Sequence, residues 1–290
     1  MKGILLRRAS PGSPFPENRT PRNFQTGPDR WKRHPAALPL ASNALRGPIP
    51  RVIIQRLIHH HLRHGSDREF YRLQARDAIR WLGSKGVAFD ATMTVLDLGC
   101  GDGTFGGELL DRGCDVTFAD EHNWLPPGLP ANRFRGINLE RNDLRTLGVH
   151  DLVICSNVIE HLRDPEALIA RFPTLVRPGG RVYLSWTNWL SPWGGHDFSP
   201  FHYLGPRLGP KVFDRLRGRP RQLKPGENLF VTHIGRTLRF IRRQPALRIV
   251  AVAPRYYTEF APLMRVPVLR EFLAWNCAIL IEHRPANRAA

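Results

Sequence analysis

The sequence is short of cysteines, of acids and of long apolar runs, and each shortage removes a class of protein. Its four cysteines, Cys100, Cys114, Cys155 and Cys277, stand far apart with no Cys-x-x-Cys pair. That spacing offers neither a zinc site nor a disulfide framework, and no metal is expected. Three of the four fall in or beside strand-like apolar stretches, where a free thiol acts as a small hydrophobe. A reducing, cytoplasmic setting is the expectation. No run reaches the about 18 apolar residues of a membrane span. The early run Ile4-Leu5-Leu6 is too short for the core of a secretory signal.

Acids are the second shortage: 25 Asp and Glu face 43 Lys and Arg, a formal net charge of +18. The imbalance is concentrated. Residues 1–64 hold twelve Lys and Arg and only two acids, Glu17 and Asp29. Residues 1–46 combine this charge with Pro, Asn and Ser and show no hydrophobic periodicity, so a disordered basic tail is expected. Such a tail suits nucleic acid, an anionic membrane or an acidic substrate, and equally a merely solvated arm.

From Pro50 a helical pattern begins. Val52, Ile53, Leu57, Ile58 and Leu62 recur at helical spacing with basic residues between them. Residues 50–64 can therefore lie on a membrane surface or pack on their own domain, and both readings stand. A second helix is expected from about Arg68 to Leu82, so N-terminal helices occupy 47–91. Beyond them strands alternate with helices: 92–98, 115–119, 134–137, 151–155, 181–186, 247–253 and 275–282 read as strands. This alternation means βαβ units and a mainly parallel sheet. Asp164-Pro165-Glu166 is a strong helix start, whereas Pro173 should kink or stop that helix. Residues 187–230 break the rhythm, with Trp189, Trp193, Phe198, Phe201 and Tyr203 among Gly, Pro and His. A loop of this length is functional or disordered, and its aromatic content argues for function.

Most of the chemistry is written in Val95-Leu96-Asp97-Leu98-Gly99-Cys100-Gly101-Asp102-Gly103. A strand delivers Asp97, and a glycine turn opens a helix whose N–H groups can face a ligand. A dinucleotide fingerprint would need a third glycine where Thr104 stands, and no Gly-Lys-Ser/Thr follows to make a P-loop. The next strand ends in Asp120, at the distance of about 20 residues at which an acid binds ribose hydroxyls.

These motifs, with DLVICSNVIEHLRDPEALI and VRPGGRVYLSW in order after them, resemble class I S-adenosylmethionine-dependent methyltransferases. The later stretches LSWTNWLSPWGGHDFSPFHYLGPRLG and VPVLREFLAWN resemble an uncharacterised actinobacterial group within them. The resemblance implies an α/β fold, a doubly wound Rossmann-like seven-stranded sheet with N-terminal helices and an aromatic lid insertion. On this reading 92–290 is the S-adenosylmethionine-binding domain and 187–230 the substrate lid. It implies that Asp97, Gly99, Cys100, Gly101 and Gly103 line the methionine and ribose part of the cofactor and that Asp120 pairs with the ribose. Asn138 stands where many relatives have an adenine-binding Asp, and its amide oxygen can accept from adenine. Ser156 and Asn157 should face the methyl group and the acceptor. Some relatives hold a divalent ion near Glu160-His161, but they carry an acid where this chain has Asn157.

An enzyme of this kind works largely by positioning, and a hydroxyl acceptor also needs a general base. His196, Asp197 and His202 in the insertion are the candidates, each equally readable as a loop brace. The expected acceptor is an O or N atom of a small molecule, glycan or lipid, with envelope chemistry in keeping with the actinobacterial resemblance. An RNA methyltransferase is the alternative, although no RNA-binding module is recognisable. A non-catalytic S-adenosylmethionine-binding protein is the third reading.

Overall fold

The computed structural model describes residues 53–217 and 221–284. The expected basic tail, 1–46, lies outside them. Two helices come first, α1 (Ile54–His64) and α2 (Arg68–Ser84). Asp67 caps α2, its carboxylate accepting from the Phe70 N–H at 2.9 Å. The contacts of α1 decide between its two readings in part: Ile53 and Leu57 are buried against Leu73, with Phe70 and Tyr256 beside them. Its apolar stripe is used on its own domain, though Leu62 stays 79% exposed.

Among the described residues one sheet is formed, in the order β3-β2-β1-β4-β5-β7-β6. The strands are β1 (Thr94–Leu98), β2 (Asp115–Asp120), β3 (Phe134–Gly136), β4 (His150–Ser156), β5 (Val176–Thr187), β6 (Leu247–Pro254) and β7 (Asn276–His283). All neighbours are parallel except those of β7, which runs against both β5 and β6. The chain reverses its direction of travel across the sheet between β1 and β4. That switch point is where ligands bind in open α/β sheets.

Both faces are covered, so the central strands are apolar throughout. Tyr183 and Trp186 of β5, three apart, enter the cores on opposite faces and are both fully buried. Helix α3 (Thr104–Leu110) follows the glycine turn and α4 (Pro165–Arg171) follows β4. Asp164 caps α4 through the Ala167 N–H. Pro173 ends it as expected, the chain passing into one 3-10 turn at Phe172–Thr174.

Residues 187–230 depart from the expectation of a loop. They hold two 3-10 turns and helix α5 (Gly205–Arg217), built round a small core of Trp189, Phe198, Phe213 and Leu229. The glycines, prolines and histidines disguise the helical signal because Pro206 and Pro210 both lie in it. Helix α6 (Ile234–Arg243) returns the chain to β6, and α7 (Pro267–Leu273) lies between β6 and β7.

Candidate functional site

The site is assembled at the carboxyl ends of β1, β2 and β4. Strand β1 ends at Leu98, and the chain turns through Gly99, Gly101 and Gly103 with φ of 73°, 55° and 69°. All three lie in the left-handed region, which costs other residues about 1–2 kcal/mol each. A side chain at Gly99 would strike Val158 Cγ2 at 2.4 Å, and one at Gly103 would strike Leu125 and Leu129. At Gly101 a Cβ would meet nothing within 4 Å. The first and third glycines are therefore needed for packing, and the second leaves its backbone open to a ligand.

Asp120, at the end of β2, holds the turn. Its Oδ2 accepts from the Gly101 N–H at 2.9 Å and its Oδ1 from the Glu121 N–H at 2.7 Å. A carboxylate has about four acceptor positions, so capacity for two hydroxyl donors remains. Cys100 is nearly buried, and its N–H donates to the Ala119 carbonyl. Burial pushes its thiol far above the ordinary range, so it is an inert wall.

Asp97, which the resemblance sets along the cofactor, is a buried residue. It is 3% exposed and lies beneath the turn, where Oδ2 accepts from the Gly106 N–H at 2.8 Å. It shapes the cradle from below. Burial raises its pKa to about 7, assisted by Asp102 and Asp120 and opposed by the Gly106 hydrogen bond. Asn138 is held within its own turn. Its amide oxygen already accepts from the Glu140 and Arg141 N–H groups, both at 3.0 Å, while Nδ2 donates to Glu121 Oε1 at 3.1 Å. The oxygen assigned to adenine is engaged in its own turn.

At the end of β4, Ser156 and Asn157 are half-buried and held from several sides. Asn157 has φ of 56°, a conformation Asn tolerates better than most residues. Its Oδ1 accepts from Asn276 Nδ2 at 2.8 Å. The same region contains a residue the sequence reading missed, Arg255, just beyond β6. Its guanidinium is 2% exposed, and Nη1 donates to Ser156 Oγ at 3.1 Å, Ser185 Oγ at 3.2 Å and Asn157 Oδ1 at 3.4 Å. It also lies over the Tyr183 and Tyr256 rings. Burial opposes its charge, but Tyr183, Tyr256, Asp77 and Glu160 outweigh that and raise its pKa overall. The one local signal was Arg-Tyr-Tyr at a strand end, and Tyr256 there takes φ of 77°, a strained value for a bulky side chain.

Glu160 is buried, accepts from the Thr187 N–H at 3.0 Å, and has its carboxyl pKa raised by that burial. His161 Nδ1 donates to the Asn228 carbonyl at 2.8 Å. Glu160 and His161 thus tie the insertion to β4, because the Phe230 N–H also donates to the Glu160 carbonyl.

The three candidate bases are not brought together as a catalytic group. His202 is fully buried among Trp189, Phe198 and Tyr203, with Nε2 donating to the Ser191 carbonyl. Asp197 faces outward and accepts from the Gln222 N–H at 2.8 Å, bracing the insertion. Both side chains are engaged in contacts that brace the insertion. His196 is half-buried beside the His161 ring, and burial lowers its pKa to about 3. A ring lowered that far is neutral at pH 7.

Known proteins similar to this chain point to one family. A family model described as a methyltransferase domain matches residues 68–217. An uncharacterised methyltransferase of Mycobacteroides abscessus is 32% identical over 230 residues, covering 74% of this chain and 87% of that protein. One from Mycobacterium tuberculosis is 32% identical over 226 residues, covering 73% and 87%. An S-adenosylmethionine dependent methyltransferase from Mesorhizobium loti superposes with a TM-score of 0.50 at 18% identity, over 71% of this chain and 98% of that one. That likeness is one of fold.

Proposed function

This chain belongs to the methyltransferase-domain family and is a methyltransferase, and we propose that it uses S-adenosylmethionine to methylate an O or N atom of an amphiphilic small molecule, glycan or lipid. One observation carries the cofactor assignment: an open backbone at Gly101 beside a carboxylate, Asp120, that the same backbone N–H orients. The residues fit the group. A ribose needs a doubly accepting carboxylate, which Asp120 retains, and a close backbone approach, which Gly101 permits. When bound, the cofactor supplies an electrophilic methyl on a sulfonium.

The chain's own residues then position the partners. Gly99, Gly101 and Gly103 set the turn, with Asp97 holding its underside through Gly106. Ser156 and Asn157 face the transfer region, and Arg255 and Asn276 fix them. Rigid placement of this kind is worth up to about 7–11 kcal/mol of barrier. The aromatic insertion covers β4 and excludes water from the site. Beside the adenine region Asn138 Nδ2 donates to Glu121 Oε1 at 3.1 Å, so the two side chains form one polar pair there.

Support for an amphiphilic acceptor is the wall of the insertion, where Trp193 packs on Trp275 and His61. The RNA reading rests on charge, and much of that charge lies in residues 1–46, outside the described structure. The test is calorimetric titration of the full chain with S-adenosylhomocysteine, alongside Asp120→Ala. Micromolar binding is expected in the wild type. Loss of two charge-assisted hydrogen bonds should weaken the variant by tenfold or more, each bond being worth roughly 1.5–3 kcal/mol. A folded wild type that does not bind would overturn the assignment.

A further inference from the structure

Exposed apolar side chains gather on two segments of this molecule. Strands β5 and β6 run parallel, so residues 188–233 and 255–275 both leave the sheet at its carboxyl edge. The second segment contains α7, Pro-Val-Leu-Arg-Glu-Phe-Leu, in which no residue is buried. Val268 is 68% exposed, and Leu269, Phe272 and Leu273 are each 43–50% exposed. The first segment contains α5. Leu208 and Leu216 are exposed on it, eight apart, and Leu204 is exposed at the end of the 3-10 turn before it. Arg207, Lys211 and Arg215, four apart and exposed, form a ridge beside the two helical leucines.

The two segments are joined at their base. Asn188 Nδ2 donates to the Glu271 carbonyl at 2.5 Å, and the Trp193 ring lies 5.7 Å from that of Trp275. The acids on these helices are paired. The Glu271 carboxylate accepts from the Ile234 and Gly235 N–H groups, and Asp214 pairs with Arg221. Asp214 remains exposed, but Arg207, Lys211, Arg215 and Arg217 outnumber it on α5, so what faces outward there is apolar and net cationic.

Apolar exposure gathered on two segments that leave the same sheet edge marks an interaction site. Apolar side chains edged by long basic ones match the headgroup boundary of an anionic bilayer, where the apolar groups insert and the cations stay at phosphate level. We propose that α5 and α7 dock this face on an anionic lipid bilayer, so that the methyl acceptor is a lipid or lipid-linked molecule taken from it. The proposal rests on the methyltransferase reading above and narrows its acceptor to membrane-borne molecules. It also moves the membrane contact from residues 50–64, where Ile53 and Leu57 are buried against α2, to the edge of the sheet that carries the site.

The test is co-sedimentation of the full chain with vesicles of phosphatidylcholine alone or mixed with phosphatidylglycerol. Two variants accompany the wild type: Leu269→Ser with Phe272→Ser, and Arg207→Glu with Lys211→Glu and Arg215→Glu. All five side chains are exposed, and S-adenosylhomocysteine binding reports that the fold survives. The expected result is binding to the phosphatidylglycerol vesicles, reduced roughly tenfold or more in each variant, with unchanged S-adenosylhomocysteine affinity. Absence of wild-type binding to either vesicle would overturn the proposal. So would binding that neither variant reduces, which would place the contact in residues 1–52. A wild-type dimer made monomeric by the Leu269 and Phe272 changes, without vesicle binding, would overturn it in favour of a second copy. Failure to bind S-adenosylhomocysteine would strike the cofactor assignment, and the vesicle result would still decide the docking.

Discussion

Arg255 Nη1 lies 3.1 Å from Ser156 Oγ although 99 positions separate the two residues. The bond joins the last third of the chain to the end of β4, where Asn157 is held in a left-handed conformation. A buried guanidinium holding three oxygens is a rigid clamp, because its donors are fixed in one plane.

Arg255→Lys should therefore fail to substitute. A lysine keeps the charge but not the fork, and its ammonium loses charge readily when buried. A stability loss of about 1.5–3 kcal/mol is expected from the broken charged hydrogen bonds. Urea denaturation of the variant and the wild type measures it. A variant as stable as the wild type would show that Arg255 does not clamp the site.

The glycines of the turn should separate packing from ligand access. Gly99→Ala meets Val158 as well as the left-handed backbone, so it should destabilise the fold by more than about 2 kcal/mol. Gly101→Ala meets open space, so only the conformational cost of about 1–2 kcal/mol applies to folding. Its methyl projects into the ligand region, and S-adenosylhomocysteine binding should fall tenfold or more. Paired calorimetry and denaturation check the contrast, and equal effects on both readouts would contradict it.

Asp97 and His196 should give opposite pH dependences of stability. Burial raises Asp97 to about 7, so the folded chain holds its proton more tightly than the unfolded chain between pH 3.8 and 7. Stability from this group is present below that window and is lost as pH rises through it. Asp97→Asn should therefore gain stability relative to the wild type as pH climbs from 4 to about 7. His196 is lowered to about 3, so the unfolded chain binds the proton more tightly between about 3 and 6.5. His196→Asn should gain on the wild type as pH falls through that window. Thermal unfolding across pH 3.5–7.5 tests both, and a reversed sign for either would refute the burial assigned to it.

Much of the architecture was legible because it rests on local rules. Asp164-Pro165-Glu166 starts α4 and Pro173 ends it by backbone chemistry that no distant contact alters. The strands of the sheet were readable because burial on both faces makes them continuously apolar. The insertion was misread as a loop for the converse reason: α5 contains Pro206 and Pro210 and is held by packing of Phe213 on Phe198 and Phe201, a tertiary effect that overrides propensity.

At the site the division is the same. Sequence alone determined the glycine turn and the acid after β2, because left-handed backbone and strand-end carboxylates leave a mark at fixed spacing. It could not tell that Asp97 lies under the turn, that the Asn138 oxygen is engaged, or that His202 and Asp197 brace the insertion, because partners and burial are set by packing. Only the tertiary structure brought Arg255 to Ser156 and gathered apolar and basic residues at one edge of the sheet. Hydrophobic burial and hydrogen bonding act between groups that are near in space, and nearness across 99 residues is decided by the fold.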